Sequence, residues 1–86
     1  MNINQLVEIV KNKLHNNIVC DNIEIQDKTF LHKSHASHDK NKFHIKLIIT
    51  SDYLKTKTKI QSTKEIYKIL EKELKYNIHS IQILIN

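Results

Sequence analysis

The residues best able to do chemistry gather in one stretch. FLHKSHASHDKNKF, from Phe30 to Phe43, holds His32, His35 and His38 at intervals of three, and His44 follows just beyond. Imidazoles on a polar segment can accept a proton, donate a hydrogen bond or ligate a borderline metal near neutral pH. A solvated polar loop in which the histidines are incidental is the alternative, because clustered histidine suggests a metal by composition alone. Ser34 and Ser37 lie among them, but no nucleophile–base pairing stands out. A chain with no glycine also has no glycine-built phosphate loop, so the pattern does not read as an enzyme. A second group is basic: Lys55, Lys57, Lys59 and Lys64, with Gln61 among them.

Composition narrows the partners. The 86 residues make one domain, 1–86, with a small but sufficient core. All 14 basic residues are lysine, and the formal charge is +5. That balance favours an anionic partner, nucleic acid or an acidic protein face. Without arginine, however, there is no bidentate reader of guanine or phosphate. The single cysteine excludes an internal disulfide and fits a reducing compartment. No apolar run reaches the ~20 residues of a membrane span, and the N-terminus lacks a signal-peptide layout, so a cytoplasmic protein is expected.

The elements that must position these groups follow from periodicity. Asn2 or Asn4 can cap a first helix near Asn4–His15, with Leu6, Val7, Val10 and Leu14 on one face. Asn16 and Asn17 are expected to end it in the left-handed conformation. Alternation predicts a strand over Val19–Gln26 with Cys20 on its polar face as a small filler, and a central strand over Phe43–Thr50. The histidine segment is then the loop between two strands, expected to be the most mobile internal part. Ser51 and Asp52 open a short turn. A second long helix is predicted over Thr63–Lys75, started by a Ser62–Glu65 capping box and buried through Ile66, Ile69, Leu70 and Leu74. Ile78–Ile85 is the last strand. The first two strands should pair antiparallel, and the last two parallel through a helical crossover. Helices on one face of a three-stranded sheet give an α+β sandwich.

This order, with these residues in it, resembles the BolA family over nearly the whole chain. Asp27-Lys28-Thr29 followed by His32-Lys33-Ser34-His35-Ala36 is similar to the family's Asp-x-Ser and His-Ala-Gly-His-Ala loop. Ser51-Asp52-Tyr53-Leu54-Lys55-Thr56-Lys57-Thr58 resembles its Ser-Asp-x-Phe-x-Gly-Lys-Ser turn, with Thr56 where glycine is usual. Glu71-Lys72-Glu73-Leu74 and Ile78-His79-Ser80-Ile81 resemble its Glu-Glu-Leu and Val-His-Ala-Leu segments. The family's Arg-His-Arg triplet at the start of the second long helix falls on Ser62-Thr63-Lys64, so its histidine is Thr63 here. The resemblance implies a fold similar to a type II KH arrangement, though the Gly-x-x-Gly clamp of KH domains is missing.

The resemblance further implies a non-enzymatic accessory protein that pairs with a monothiol glutaredoxin and shares a [2Fe–2S] cluster with it. His32, His35 and His38 are then the candidate ligands, one of them together with His44 in a variant of the set. Lys55, Lys57, Lys59 and Lys64 form the docking face, whose alternative is a solvated helix edge. Threonine is a poor iron ligand, so replacement of the histidine at Thr63 predicts a more labile cluster. His15 and His79 read as structural. The other reading is a DNA-binding regulator of stress response and cell morphology, with the same lysines on phosphates and Gln61 as the one candidate base contact. Lysine contacts alone predict weak, nonspecific binding set by salt. The free protein is expected to be a monomer.

Overall fold

The structure, a computed structural model, describes residues 1–29 and 42–86. The histidine loop, with its expected mobility and with His32, His35 and His38, falls in residues 30–41 and lies outside the described residues. The described elements run α1 (Ile3–Asn17), β1 (Asn22–Asp27), β2 (Phe43–Thr50), α2 (Asp52–Lys55), α3 (Lys59–Ile69), α4 (Glu71–Tyr76) and β3 (Ile78–Ile85).

Helix α1 starts on a reciprocal box. Asn2 Oδ1 accepts from the Gln5 N–H at 2.8 Å, and Gln5 Oε1 accepts from the Asn2 N–H at 2.9 Å. Two of the first turn's orphan donors are thereby satisfied. Its end differs from expectation, since no described residue has a positive φ. The chain passes directly into extended Ile18, whose N–H still bonds Leu14 O, while Asn17 Nδ2 donates to Lys13 O at 2.7 Å. A side-chain donor covers a terminal carbonyl here where a left-handed residue usually would.

The first strand begins later than Val19. Ile18 takes the core position and is buried, which leaves Val19 83% exposed. Residues 18–21 act as a connector, pinned by Ser51 Oγ donating to Val19 O and by the Asp21 N–H donating to Thr50 O. From Asn22 the alternation holds. The sheet order is β1-β2-β3, antiparallel between the first pair and parallel between the second. Leu47 sits opposite Ile25 and Ile83 and is fully buried, whereas Lys46 and Thr50 project from the other face, as the alternation predicts.

One face of the sheet carries Ile23, Ile45, Leu47 and Ile49 into a core closed by Leu6, Val10 and Leu14 of α1, by Leu54, Ile66 and Leu70, and by Ile78. Full burial of each such side chain stabilises the fold by about 2 kcal/mol before entropy is counted. Leu54 explains why the expected turn is a helical one. Ser51 Oγ accepts from the Leu54 N–H, and α2 turns that leucine inward.

The second long helix is two helices, and its start lies four residues ahead of Thr63. The capping box is Thr58–Gln61, not Ser62–Glu65. Ser62 is buried inside α3, with its hydroxyl bonding Leu54 O and Thr58 O, and Glu65 accepts instead from Tyr53 Oη. At Leu70 the backbone leaves helical geometry (φ −97°, ψ 17°), separating α3 from α4. The described chain is an α+β domain with a three-stranded mixed sheet and four helices.

Candidate functional site

Strand β3 contains one irregularity, and a histidine pair is built on it. Phe43 pairs with Ile78, yet the next residue, His44, pairs with Ser80, so His79 is an extra residue in β3. A bulge re-aims side chains that strict alternation would send apart. Ile78 is buried and Ile81 faces the same side, so both His79 and Ser80 between them reach the face of the sheet opposite the described helices. There they meet one imidazole. Ser80 Oγ lies 2.7 Å from His44 Nδ1, and His79 Nδ1 lies 3.0 Å from His44 Nε2, with the rings edge-on at 4.6 Å.

The same imidazole marks the foot of the histidine loop. Asp27 Oδ1 accepts from both the backbone N–H and the hydroxyl of Thr29, and Thr29 Oγ1 accepts from the His44 N–H. The Lys28 N–H donates to His44 O at 2.7 Å. Asp27, Lys28 and Thr29, which precede residues 30–41, are therefore held beside His44. His44 is 5% exposed and His79 is exposed.

For two neutral rings, two tautomer arrangements satisfy these contacts. If His44 Nε2–H donates to His79 Nδ1, then Ser80 donates to His44 Nδ1 and His79 carries its proton on Nε2. If His79 Nδ1–H donates to His44 Nε2, then His44 Nδ1–H donates to Ser80, and His79 Nε2 keeps a free lone pair. Only the second leaves a ligating nitrogen, and it has the outer-sphere hydrogen bond that metal-binding histidines usually make. Among the described residues no group of three or more His, Cys, Asp or Glu could hold a metal ion together. The described residues thus present one exposed imidazole rather than a complete cage.

Thr63 stands elsewhere. It lines a cleft of about 310 Å³ with Leu54, Lys55, Lys57, Lys59, Ser62, Ile83, Leu84 and Ile85. That is four to six residues along β3 from His79, on the order of 13–20 Å at ~3.3 Å per residue. Thr63 and His79 thus lie toward opposite ends of β3. The sequence reads His79 as structural, and the three-residue spacing of Ile78 and Ile81, which breaks alternation, is the sequence signal for the bulge it sits in.

Of the basic residues, Lys55, Lys57 and Lys59 come together at the cleft, and Lys64 lies on the outer face of α3 beside Ile60 and Tyr67. Lys57 Nζ lies over the Tyr53 ring at 5.0 Å. Gln61 is exposed, but its side-chain oxygen is occupied by the Thr58 N–H of the capping box. Cys20 Sγ lies 3.4 Å from His15 Nδ1. Burial pushes its thiol up from the ordinary value, and the Asp21 carboxylate adds to that, so the thiolate that metals prefer is disfavoured.

Comparison with known proteins agrees with this architecture. The chain is similar to the BolA domain of SufE1 from Arabidopsis thaliana, with 26% identity and a TM-score of 0.78 over 100% of this chain and 93% of that one. It is similar in fold to BolA1 from Arabidopsis thaliana (20% identity, TM-score 0.74, 92% of this chain and 87% of that one). BolA1 from Mus musculus matches at 17% identity and a TM-score of 0.71 over 90% of this chain and 60% of that one. No curated protein sequence matches the chain significantly. No described helix is long and apolar enough to cross a membrane. The family described as BolA-like protein matches residues 14–86, and the chain belongs to that family.

Proposed function

We propose that this BolA-type protein is a non-enzymatic accessory of iron–sulfur trafficking that pairs with a monothiol glutaredoxin and holds a [2Fe–2S] cluster jointly with it. The observation that carries the reading is the His44–His79 contact at the foot of the histidine loop. It puts an exposed imidazole, backed by a buried partner, on the strand pair where Thr29 and Phe43 flank the stretch of sequence that contains His32, His35 and His38. Imidazole nitrogen suits iron, and exchange of thiolate for histidine raises a [2Fe–2S] potential. His79 supplies one nitrogen, one of the three loop histidines is the candidate for a second, and the partner's thiolates complete the shell. Lys55, Lys57, Lys59 and Lys64 are the candidate docking face. Adding the protein to a cluster-loaded monothiol glutaredoxin should change the visible absorption spectrum. His79→Ala, and His32→Ala with His35→Ala, should each reduce that change, whereas Thr63→His should leave it as it is. An undiminished spectrum in all the histidine variants overturns the reading.

The clustering of lysines around α2 and the start of α3 favours a second reading, contact with DNA phosphates. With Gln61 drawn into its cap and no arginine in the chain, that contact is sequence-indifferent.

A further inference from the structure

Among the described residues the outer edge of β3 has no neighbour. In the order β1-β2-β3 both outer strands are edges, but they are protected differently. β1 is six residues long and carries Glu24 and Asp27; β3 is eight residues long, IHSIQILI, with no lysine, acid or proline. An uncharged edge of that length is a template for another strand. The cleft beside it has a telling lining. Ile83 and Ile85 face the helices and Leu84 faces the other side, yet all three line it and no β2 residue does. Such a lining arises only where a cleft runs along the free edge itself. Its opposite wall is the α2–α3 region, with Lys55, Lys57 and Lys59.

We propose that this edge accepts an extended, acidic segment of a partner protein as a fourth strand. Main-chain hydrogen bonds to β3 would supply affinity, and carboxylates on Lys55, Lys57 and Lys59 would supply selectivity. Three occupants are worth separating. Charge complementarity favours an acidic segment. A single nucleic-acid strand would need a stacking surface, and no aromatic residue lines the cleft. A second copy docking its own β3 would bring an uncharged strand to a lysine wall, leaving that wall unmatched. The site lies at the opposite end of β3 from His79 and does not depend on cluster binding.

The test uses fluorescence anisotropy with a labelled decapeptide of alternating valine and glutamate, and with its valine–lysine counterpart. The glutamate peptide should bind at least tenfold tighter. Methylating alternate peptide nitrogens on the bonding edge should weaken it at least tenfold. Lys55→Glu with Lys59→Glu should reverse the preference; Lys59 is the first residue of α3, where an acid suits the helix dipole, so the fold should tolerate the change. Amide shifts on titration should map to residues 78–85 and 55–59. Four results overturn the proposal: indifference to methylation, shifts centred on Ile60 and Tyr67, equal competition by a ten-residue oligothymidine, or light scattering showing that the protein alone already pairs through this edge.

Discussion

Glu73, on α4, accepts two hydrogen bonds from Lys13 Nζ on α1, at 2.9 and 2.8 Å, across sixty residues of sequence. The carboxylate side chain is 5% exposed and the lysine 37%, so one end of the pair is buried and the other wet. Breaking it from the lysine side strands a buried charge. Lys13→Met should destabilise by about 1–2 kcal/mol, below the range for fully buried pairs because the lysine is part-solvated. Lys13→Met with Glu73→Leu should recover most of the loss. Urea denaturation of the three proteins measures both steps.

Ser80 offers a test of the histidine relay that leaves every histidine in place. Its oxygen lies 2.7 Å from His44 Nδ1, and the arrangement that frees His79 Nε2 has His44 donating to it. Ser80→Ala should weaken cluster retention about tenfold, the lower end of outer-sphere effects on metal affinity. Ser80→Thr keeps the acceptor and should retain most of it. Cluster loss to a chelator, followed in visible light, ranks the two variants.

The helix start gives a sharper comparison. Thr58→Ala removes the hydroxyl that accepts from the Gln61 N–H and should cost about 1 kcal/mol. Glu65→Ala, which the Ser62–Glu65 pattern would make a cap mutant, should cost little, since it loses only an exposed bond from Tyr53. Thermal melts of the two variants separate the alternatives.

That comparison shows what the residues disclosed and what they hid. The bounds of β2 and β3 were legible to the residue because, from Ile45 and Ile81 onward, core-facing residues alternate with the others, so period two reports the packed face. β1 and α3 were displaced for the opposite reason. Val19 and Ile18 are equivalent as apolar residues, and only the hydrogen bonds of Ser51 and Asp21 decide which one enters the core. Thr58–Gln61 and Ser62–Glu65 are equivalent as capping patterns, and the cap falls to Thr58 because Leu54 O and Thr58 O claim the Ser62 hydroxyl. His79 was hidden by distance. Its partner is thirty-five residues away, and a bulge sets their meeting.

Cys20 should alkylate slowly. Burial first, then Asp21, raises its pKa, so less thiolate is present at pH 8 than in an unfolded chain. The linkage sign follows. Stability from this group is fully present below the unfolded thiol's pKa and is lost as pH rises through the raised folded value. Iodoacetamide should react more slowly with the native protein than with the urea-unfolded one, and Asp21→Asn should speed the native reaction modestly.

The nucleic-acid reading predicts a slope. Four lysines, Lys55, Lys57, Lys59 and Lys64, surround α2 and the first half of α3, and each can neutralise at most one phosphate. Duplex binding should therefore fall with log[salt] at a slope no steeper than about −3.6, at ~0.9 per neutralised phosphate. Sequence should matter by less than about tenfold, because base readout needs side chains with donor–acceptor pairs aimed into a groove. Gln61, the one such side chain in the group, has its oxygen committed to the Thr58 N–H. Gln61→Ala should accordingly lower thermal stability without changing the ratio between two duplexes. Lys57→Ala should reduce the slope by close to one unit and weaken both duplexes equally. If Gln61→Ala changes that ratio, the glutamine leaves its cap to read a base, and the regulator reading gains over the accessory one.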